Sequence, residues 1–555
     1  MKRDVGSTNS PVNFFCNLRD GFLFGLGLFF VVPAFCPAQD QRSPNAATVA
    51  NRNVSADEPA SPNILFAIAD DWGVHAGAYN TPWIRTPTFD KLAAEGILFR
   101  NAYTPMAKCA PSRAIILTGR HLWQLKEAGN HMCFFPEQFK TWPEVLREQS
   151  WHTGITGKDW GPGIALDANG LKRNLCGIPI NRHQANPPAN EISRHDYAAN
   201  FNDFLDDVPQ GRPWCFWYSS LEPHRGYEFQ SGVKKNGRQL TDIDRVPNYW
   251  PDSETVRHDM LDYAMEVEHT DRHLQRMLDE LDKRGLSDNT IVIFTSDHGM
   301  PFPRVKGYAY RDSNQVPLAI RWPKGITKPG RVVDDFVDFT DIAPTLLELA
   351  GIDPASAGMQ PISGQSWKPI FVSDRSGQVI PERDHVLIGK ERTDVGRPNN
   401  QGYPIRGLIR DDFLLVLNFE PDRWPAGNPE TGYLDTDGSP TKTAILKLGR
   451  HDRTNQFWQL NFGKRPEAEL FDLASDPDCV NNLADTADHR ARMEAMTQFL
   501  KKKLVAQGDP RLLGNGQVFE SYPPTQGKDY YENYLEGREK KAGWVNPDDY
   551  EPPIK

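Results

Sequence analysis

The sequence predicts an α/β protein with a large, mainly parallel sheet flanked by helices, followed by a smaller α+β domain. Three observations carry this prediction. Short continuous apolar runs recur, the first at residues 63–68, and such runs suit strands buried on both faces. Segments of helical period alternate with them, the signature of a parallel sheet with crossover helices. After about residue 385 the alternation gives way to closely spaced short strands.

The elements follow in order. Residues 63–68 read as a strand ending at Asp70 and Asp71. Residues 87–95 read as a helix with Phe89, Leu92 and Ala93 on one face. Further strands are expected around Ile155 and at 214–219, 291–295 and 318–320. Helices are expected at 142–148, 261–281 and 342–349. In the second domain, 405–409 and 413–417 resemble a two-stranded meander, and 469–473 is another strand. A closing helix at 491–505 puts Met493, Met496 and Leu500 on one face.

The organisation expected is therefore a catalytic domain at 61–385, an α+β subdomain at 386–510 and a polar tail at 511–555. A chain of 555 residues is too long for one simple core. Its 14 tryptophans, 45 prolines and 43 glycines suit a loop-rich enzyme better than a helical bundle. The net charge of −10 argues against nucleic-acid binding, since no broad basic surface is implied. It leaves room for an anionic substrate, because a few cations and a metal reverse the field within one cleft.

The N-terminus reads as a signal peptide at 1–38, with Lys2 and Arg3 ahead of an apolar run at 21–35 and Ala38 before the cut. The run is shorter than the roughly 20 residues that span a bilayer, so stable membrane insertion is not expected. Residues 39–60 are polar and linker-like. The expected destination is a periplasmic, extracellular or lysosome-like compartment. Four cysteines outside the leader and the motif below, Cys133, Cys176, Cys215 and Cys479, allow three disulfide connectivities, and the sequence does not choose among them.

Ligands of open α/β sheets bind beyond the carboxyl ends of the strands. Two acidic clusters fall there: Asp70-Asp71, and Asp297-His298 within Thr295-Ser296-Asp297-His298-Gly299. Adjacent carboxylates repel, and a divalent cation is a reason to gather them; oxygen ligands favour calcium or magnesium. Between the clusters lies Cys109-Ala110-Pro111-Ser112-Arg113, followed by Leu117-Thr118-Gly119-Arg120. The apolar residues 114–117 would open a helix whose N-terminus favours an anion.

This motif, with the two acidic clusters around it, resembles the sulfatase signature. The likeness runs from about residue 63 to residue 483 and takes in Gly157-Lys158, Glu222-Pro223-His224, Lys306, Glu469-Leu470-Phe471-Asp472-Leu473, Asp476-Pro477 and Asn482-Leu483. Within the family, Gly77-Ala78-Tyr79-Asn80, Pro301-Phe302-Pro303 and Tyr403-Pro404-Ile405-Arg406 are similar to segments of the N-sulfoglucosamine sulfohydrolase (heparan N-sulfatase) branch.

The resemblance implies an alkaline-phosphatase-like fold and an exported hydrolase of a sulfated carbohydrate. It implies that a formylglycine-generating enzyme oxidises Cys109 to formylglycine. One hydroxyl of the hydrated aldehyde would attack sulfur, and the other would then expel sulfate. The implied metal ligands are Asp70, Asp71, Cys109, Asp297 and His298. Arg113 would hold the diol, Lys158 and Lys306 would grip sulfate oxygens, and His224 would protonate the leaving oxygen.

Two departures stand out. Many relatives carry Gly-Lys-x-His, and here Gly157-Lys158-Asp159-Trp160 puts tryptophan in the histidine's place. The proton acceptor for sulfate release then has three candidates: Asp159, another histidine such as His131, or water. Position 298, often asparagine, is histidine, so manganese or zinc becomes an alternative to calcium. Glu391, Arg392, Asp394 and Arg397 form a charged cluster that, lining the cleft, would select the sugar, with Arg397, His131 and Asp159 as the expected substrate contacts. Two alternatives stand beside this reading. One is a phosphodiesterase or phosphonate monoester hydrolase of the same superfamily. The other is an exported carbohydrate-binding protein without catalysis.

Overall fold

Residue alternation explains how the first strand is buried on both faces. In the computed structural model, which describes residues 61–554, β1 spans Asn63–Ala69 and every residue in it is buried. Leu65, Ala67 and Ala69 enter one apolar core. Ile64, Phe66 and Ile68 enter the other. The expected signal peptide and linker lie outside the described residues.

Seven further strands complete the main sheet: β2 (Ile97–Phe99), β3 (His152–Gly157), β4 (Ile178–Pro179), β5 (Trp214–Ser219), β6 (Thr290–Ser296), β7 (Leu318–Arg321) and β8 (Arg331–Val333). Their order is β8-β2-β7-β6-β1-β5-β3-β4. β1 runs parallel to both β5 and β6, whereas β7 is antiparallel to β6 and to β2. Ile68 pairs with Ser219, and Ala69 pairs with Ser296. That register makes three strands end level. It places Asp70, the segment after Ser219 and Asp297 at one edge.

The helices cover both faces. α1 is Pro87–Ala94, α2 Cys109–Thr118, α3 Trp142–Glu148, α4 Glu254–Lys283 and α5 Ile342–Leu349. α3 starts with a Thr141–Glu144 capping box, and Ser253 caps α4 through the Val256 amide. Trp142 of α3 stacks on Trp217 of β5, with ring centroids 5.6 Å apart.

A separate small sheet is antiparallel throughout, in the order β9 (His385–Lys390), β10 (Ile405–Arg410), β11 (Phe413–Asn418) and β12 (Ala468–Asp472). It carries α6 (Pro440–His451) between its last two strands and α7 (Arg490–Ala506) after them. The tail packs onto this part: Tyr530, Ala542 and Val545 are buried with Val395 and Leu434. Among the described residues no helix is long and apolar enough to cross a membrane. Cys133, Cys176, Cys215 and Cys479 are buried and free, so none of the three disulfide pairings is formed among them.

Candidate active site

Cys109 is the first residue of α2, and Lys108 before it has extended backbone. Pro111 falls in the first turn, where an amide N–H has no helical partner to lose. The helix stops at Gly119, whose φ of 68° is the left-handed conformation that glycine adopts without strain. α2 thus presents position 109 at the strand ends, at the positive end of a helix.

Asp71, Cys109, Asp297 and His298 converge there, each offering a ligand atom within 4.8 Å of the others. All four are buried. Cys109 Sγ lies 3.5 Å from His298 Nε2 and 3.8 Å from Asp71 Oδ1. His298 Nδ1 is 2.9 Å from the Gly299 carbonyl, so this nitrogen carries the proton and Nε2 faces the cluster. Two carboxylates and an inward imidazole beside position 109 fit a divalent cation. The nitrogen makes the donor set less purely hard than a calcium site built of oxygen alone.

The cations that flank the cluster are equally well placed. Arg113 donates from Nε to Asp297 Oδ2 at 2.9 Å, from Nη1 to Ser219 Oγ at 2.7 Å and from Nη2 to Asp70 Oδ1 at 3.5 Å. Lys158 donates to both Asp70 oxygens, at 2.7 and 2.5 Å. Lys306 bridges Asp71 Oδ2 and Asp437 Oδ2, at 2.7 Å each. Burial alone would raise the Asp71 carboxyl, but Lys306 above all holds it well below the usual carboxylate range. Burial and Asp70 push the Cys109 thiol up; Lys158 and Lys306 outweigh them, and the thiol sits well below its ordinary value.

His224 completes the cleft. Its Nδ1 is 2.6 Å from the Arg225 carbonyl, which leaves Nε2 facing Asp71 Oδ2 at 3.9 Å. Its side chain is 36% exposed. Asp70, Cys109 and His224 also bring ligand atoms within 4.8 Å of one another.

Each of the three expected substrate contacts has a protein partner. Arg397 is fully buried, and its Nη2 donates to Asp435 Oδ2 at 2.6 Å and to the Pro425 carbonyl at 2.9 Å. Its guanidinium is neutralised inside the second domain, as a buried charge requires. His131 is buried with Nδ1 3.6 Å from Asp394 Oδ1. Asp159 is partly exposed and accepts from the Trp160 amide at 2.8 Å. Of the charged cluster, Asp394 forms a 2.9 Å ion pair with Lys108, the residue before Cys109. Asp437 is the residue that sequence reasoning missed. It sits in a Thr-Asp-Gly-Ser segment with no motif of its own, more than three hundred residues after Cys109.

A family model described as sulfatase matches residues 62–352, just over half of the chain. The chain belongs to the sulfatase family. It is a sulfuric ester hydrolase. This sulfatase is 27% identical over 490 residues to N-sulphoglucosamine sulphohydrolase of Homo sapiens, covering 82% of this chain and 93% of that protein. It is 25% identical over 504 residues to an ulvan-active sulfatase of Formosa agariphila, covering 83% of this chain and 77% of that one. In fold it is similar to BT4656, solved in complex with its substrate D-glucosamine-2-N,6-O-disulfate, at a TM-score of 0.56, 19% identity, 81% of this chain and 98% of that chain. A phosphonate monoester hydrolase of Agrobacterium radiobacter shares the fold too, at a TM-score of 0.53 and 18% identity over 80% of this chain and 96% of that one.

Proposed function

We propose that this sulfatase removes sulfate from a sulfated carbohydrate, with Cys109 converted to formylglycine as the nucleophile. The observation that carries the reading is the placement of position 109 on the first turn of α2, against Asp71, Asp297 and His298. A carbohydrate substrate is supported by relatives named for sulphoglucosamine and for ulvan. The fold shared with a protein solved on a disulfated glucosamine points the same way.

A hydrated aldehyde at position 109 supplies a hydroxyl to attack sulfur and a second hydroxyl for release. Asp70, Asp71, Asp297, His298 and residue 109 would hold a divalent cation: calcium, or manganese or zinc given the imidazole. Bound there, it supplies Lewis-acid stabilisation of developing negative charge.

The chain's own residues do the rest. Lys158 and Lys306 carry the positive charge that a sulfate needs, and Arg113 holds Asp70 and Asp297 in place from behind. His224 donates its Nε2 proton to the leaving sugar oxygen. Having lost that proton, it is the neutral base within reach of position 109, and it takes the proton that sulfate release sets free. That assigns to one imidazole the work that Gly-Lys-x-His relatives share with a second histidine. Export through residues 1–38 and maturation by a formylglycine-generating enzyme complete the proposal.

Mass spectrometry of the peptide around Cys109 tests the conversion: loss of the elements of hydrogen sulfide and gain of one oxygen lower its mass by about 18 Da. An unmodified thiol in protein from a converting host would overturn it. Parallel assays on an aryl sulfate and an aryl phosphodiester separate sulfatase from phosphodiesterase chemistry, and desulfation of defined sugars separates both from a binding protein.

A further inference from the structure

The segment leading into α6 brings one carboxylate, Asp437, beside Lys306 and His224. Asp437 Oδ2 accepts from Lys306, which already has Asp71 as a second partner. Among the described residues, Asp437 Oδ1 takes no protein hydrogen bond. Asp437 is 6% exposed, and its carboxylate and the His224 ring lie with ligand atoms within 4.8 Å of each other. In the proposed reaction His224 marks the side on which the sugar departs. Asp437 thus offers an acceptor oxygen without a protein partner on the carboxylate that adjoins His224.

Its position is fixed with care. The Gly438 amide donates to the Trp544 carbonyl of the tail at 2.7 Å. Ser439 caps α6 through the Lys442 amide at 3.0 Å. Asp259 then ties the two walls together: Oδ1 and Oδ2 take Arg225, the neighbour of His224, at 2.7 and 2.9 Å, and Oδ2 also takes the Thr441 hydroxyl at 2.6 Å. His224 and Asp437 therefore hold a set spacing through one buried carboxylate.

From this geometry we infer that Asp437 is a specificity-determining residue, whose carboxylate accepts a hydroxyl or ammonium of the sugar next to the scissile sulfate and rejects a second anionic group there. The inference rests on the sulfatase reading of the same site. Discrimination has two parts: a hydrogen bond that the right sugar makes, and like-charge repulsion that the wrong one meets. The Lys306 ammonium between Asp71 and Asp437 also disfavours a second metal at this spot.

The test compares wild type with Asp437→Asn and Asp437→Ser in the mature, metal-loaded enzyme. Three substrates are used: an aryl sulfate, the monosulfated sugar turned over fastest, and that sugar with a second sulfate on the neighbouring carbon. Wild type is expected to prefer the monosulfated sugar. In both variants the ratio of kcat/KM for the mono- to the disulfated sugar should fall by roughly tenfold or more, while the aryl sulfate registers only the change made through Lys306. An equal loss on all three substrates would make Asp437 a support for Lys306 alone and overturn the inference. So would an unchanged ratio in whichever variant keeps the wild-type circular dichroism. Wild type inactive on every sulfate would instead defeat the underlying sulfatase reading.

Discussion

Trp160 donates its indole N–H to the Ala110 carbonyl at 2.8 Å, one residue into the helix that begins at Cys109. Its ring meets Phe135 edge-on, with centroids 5.1 Å apart. The residue that stands where many relatives carry histidine therefore anchors the helix that begins at Cys109 through its backbone. Trp160→Phe should leave that buried carbonyl without this donor and cost about 1–2 kcal/mol of stability. Denaturant unfolding reads the loss. Activity on an aryl sulfate should fall by less than about tenfold, because no proton-transfer group is removed.

His224 is predicted to matter in proportion to how poor the leaving group is. His224→Ala should slow a sugar sulfate by roughly 10²–10⁴ and a nitroaryl sulfate far less, since a good leaving group needs little protonation. Equal losses on both substrates would point to a positioning role for the ring. Steady-state kinetics on the two substrates is the measurement.

Metal dependence should follow the donor set. Dialysis against a chelator is expected to abolish activity, and adding back a divalent cation to restore it. His298→Asn replaces the one imidazole nitrogen by an amide oxygen, so the concentration of calcium giving half-reactivation should fall relative to that of manganese. Reactivation titrations with each ion check this.

Lys390 supplies a pH prediction outside the catalytic cluster. It is buried 3.1 Å from Asp435 Oδ2, and burial lowers its pKa to about 8 against the opposing pull of Asp435. In the unfolded chain the ammonium keeps its proton to about pH 10.4. Between these values the unfolded state binds more protons, so the contribution of Lys390 to stability rises with pH, by about 3 kcal/mol over the whole window. Lys390→Met should flatten that rise. Unfolding free energies measured across the window in wild type and variant test it.

Local order explains what the sequence by itself determined. Residues 142–148 and 342–349 read as helices and are α3 and α5 within the same bounds, because capping and 3.6-residue periodicity are properties of adjacent residues. The continuous run at 63–68 read as a doubly buried strand and is one, since its alternate side chains fill two cores. The spacing of Cys109 and Arg113 and the acidic clusters at two strand ends carried the family.

Which distant residues meet follows from how the whole chain packs. The register of β1 against β5 and β6 levels the strand ends and sets the Asp71 amide 2.9 Å from Asp297 Oδ1, across 226 residues. Asp437 reaches Lys306 because the segment before α6 is held by the tail and by Asp259, and no nearby residue announces that. Arg397 reads in its charged run as a substrate contact, and the fold pairs it with Asp435 in the interior. A charge in a sequence does not carry the burial that decides whether it faces a substrate or a buried partner. Long-range packing sets that burial, and packing is a property of the whole chain.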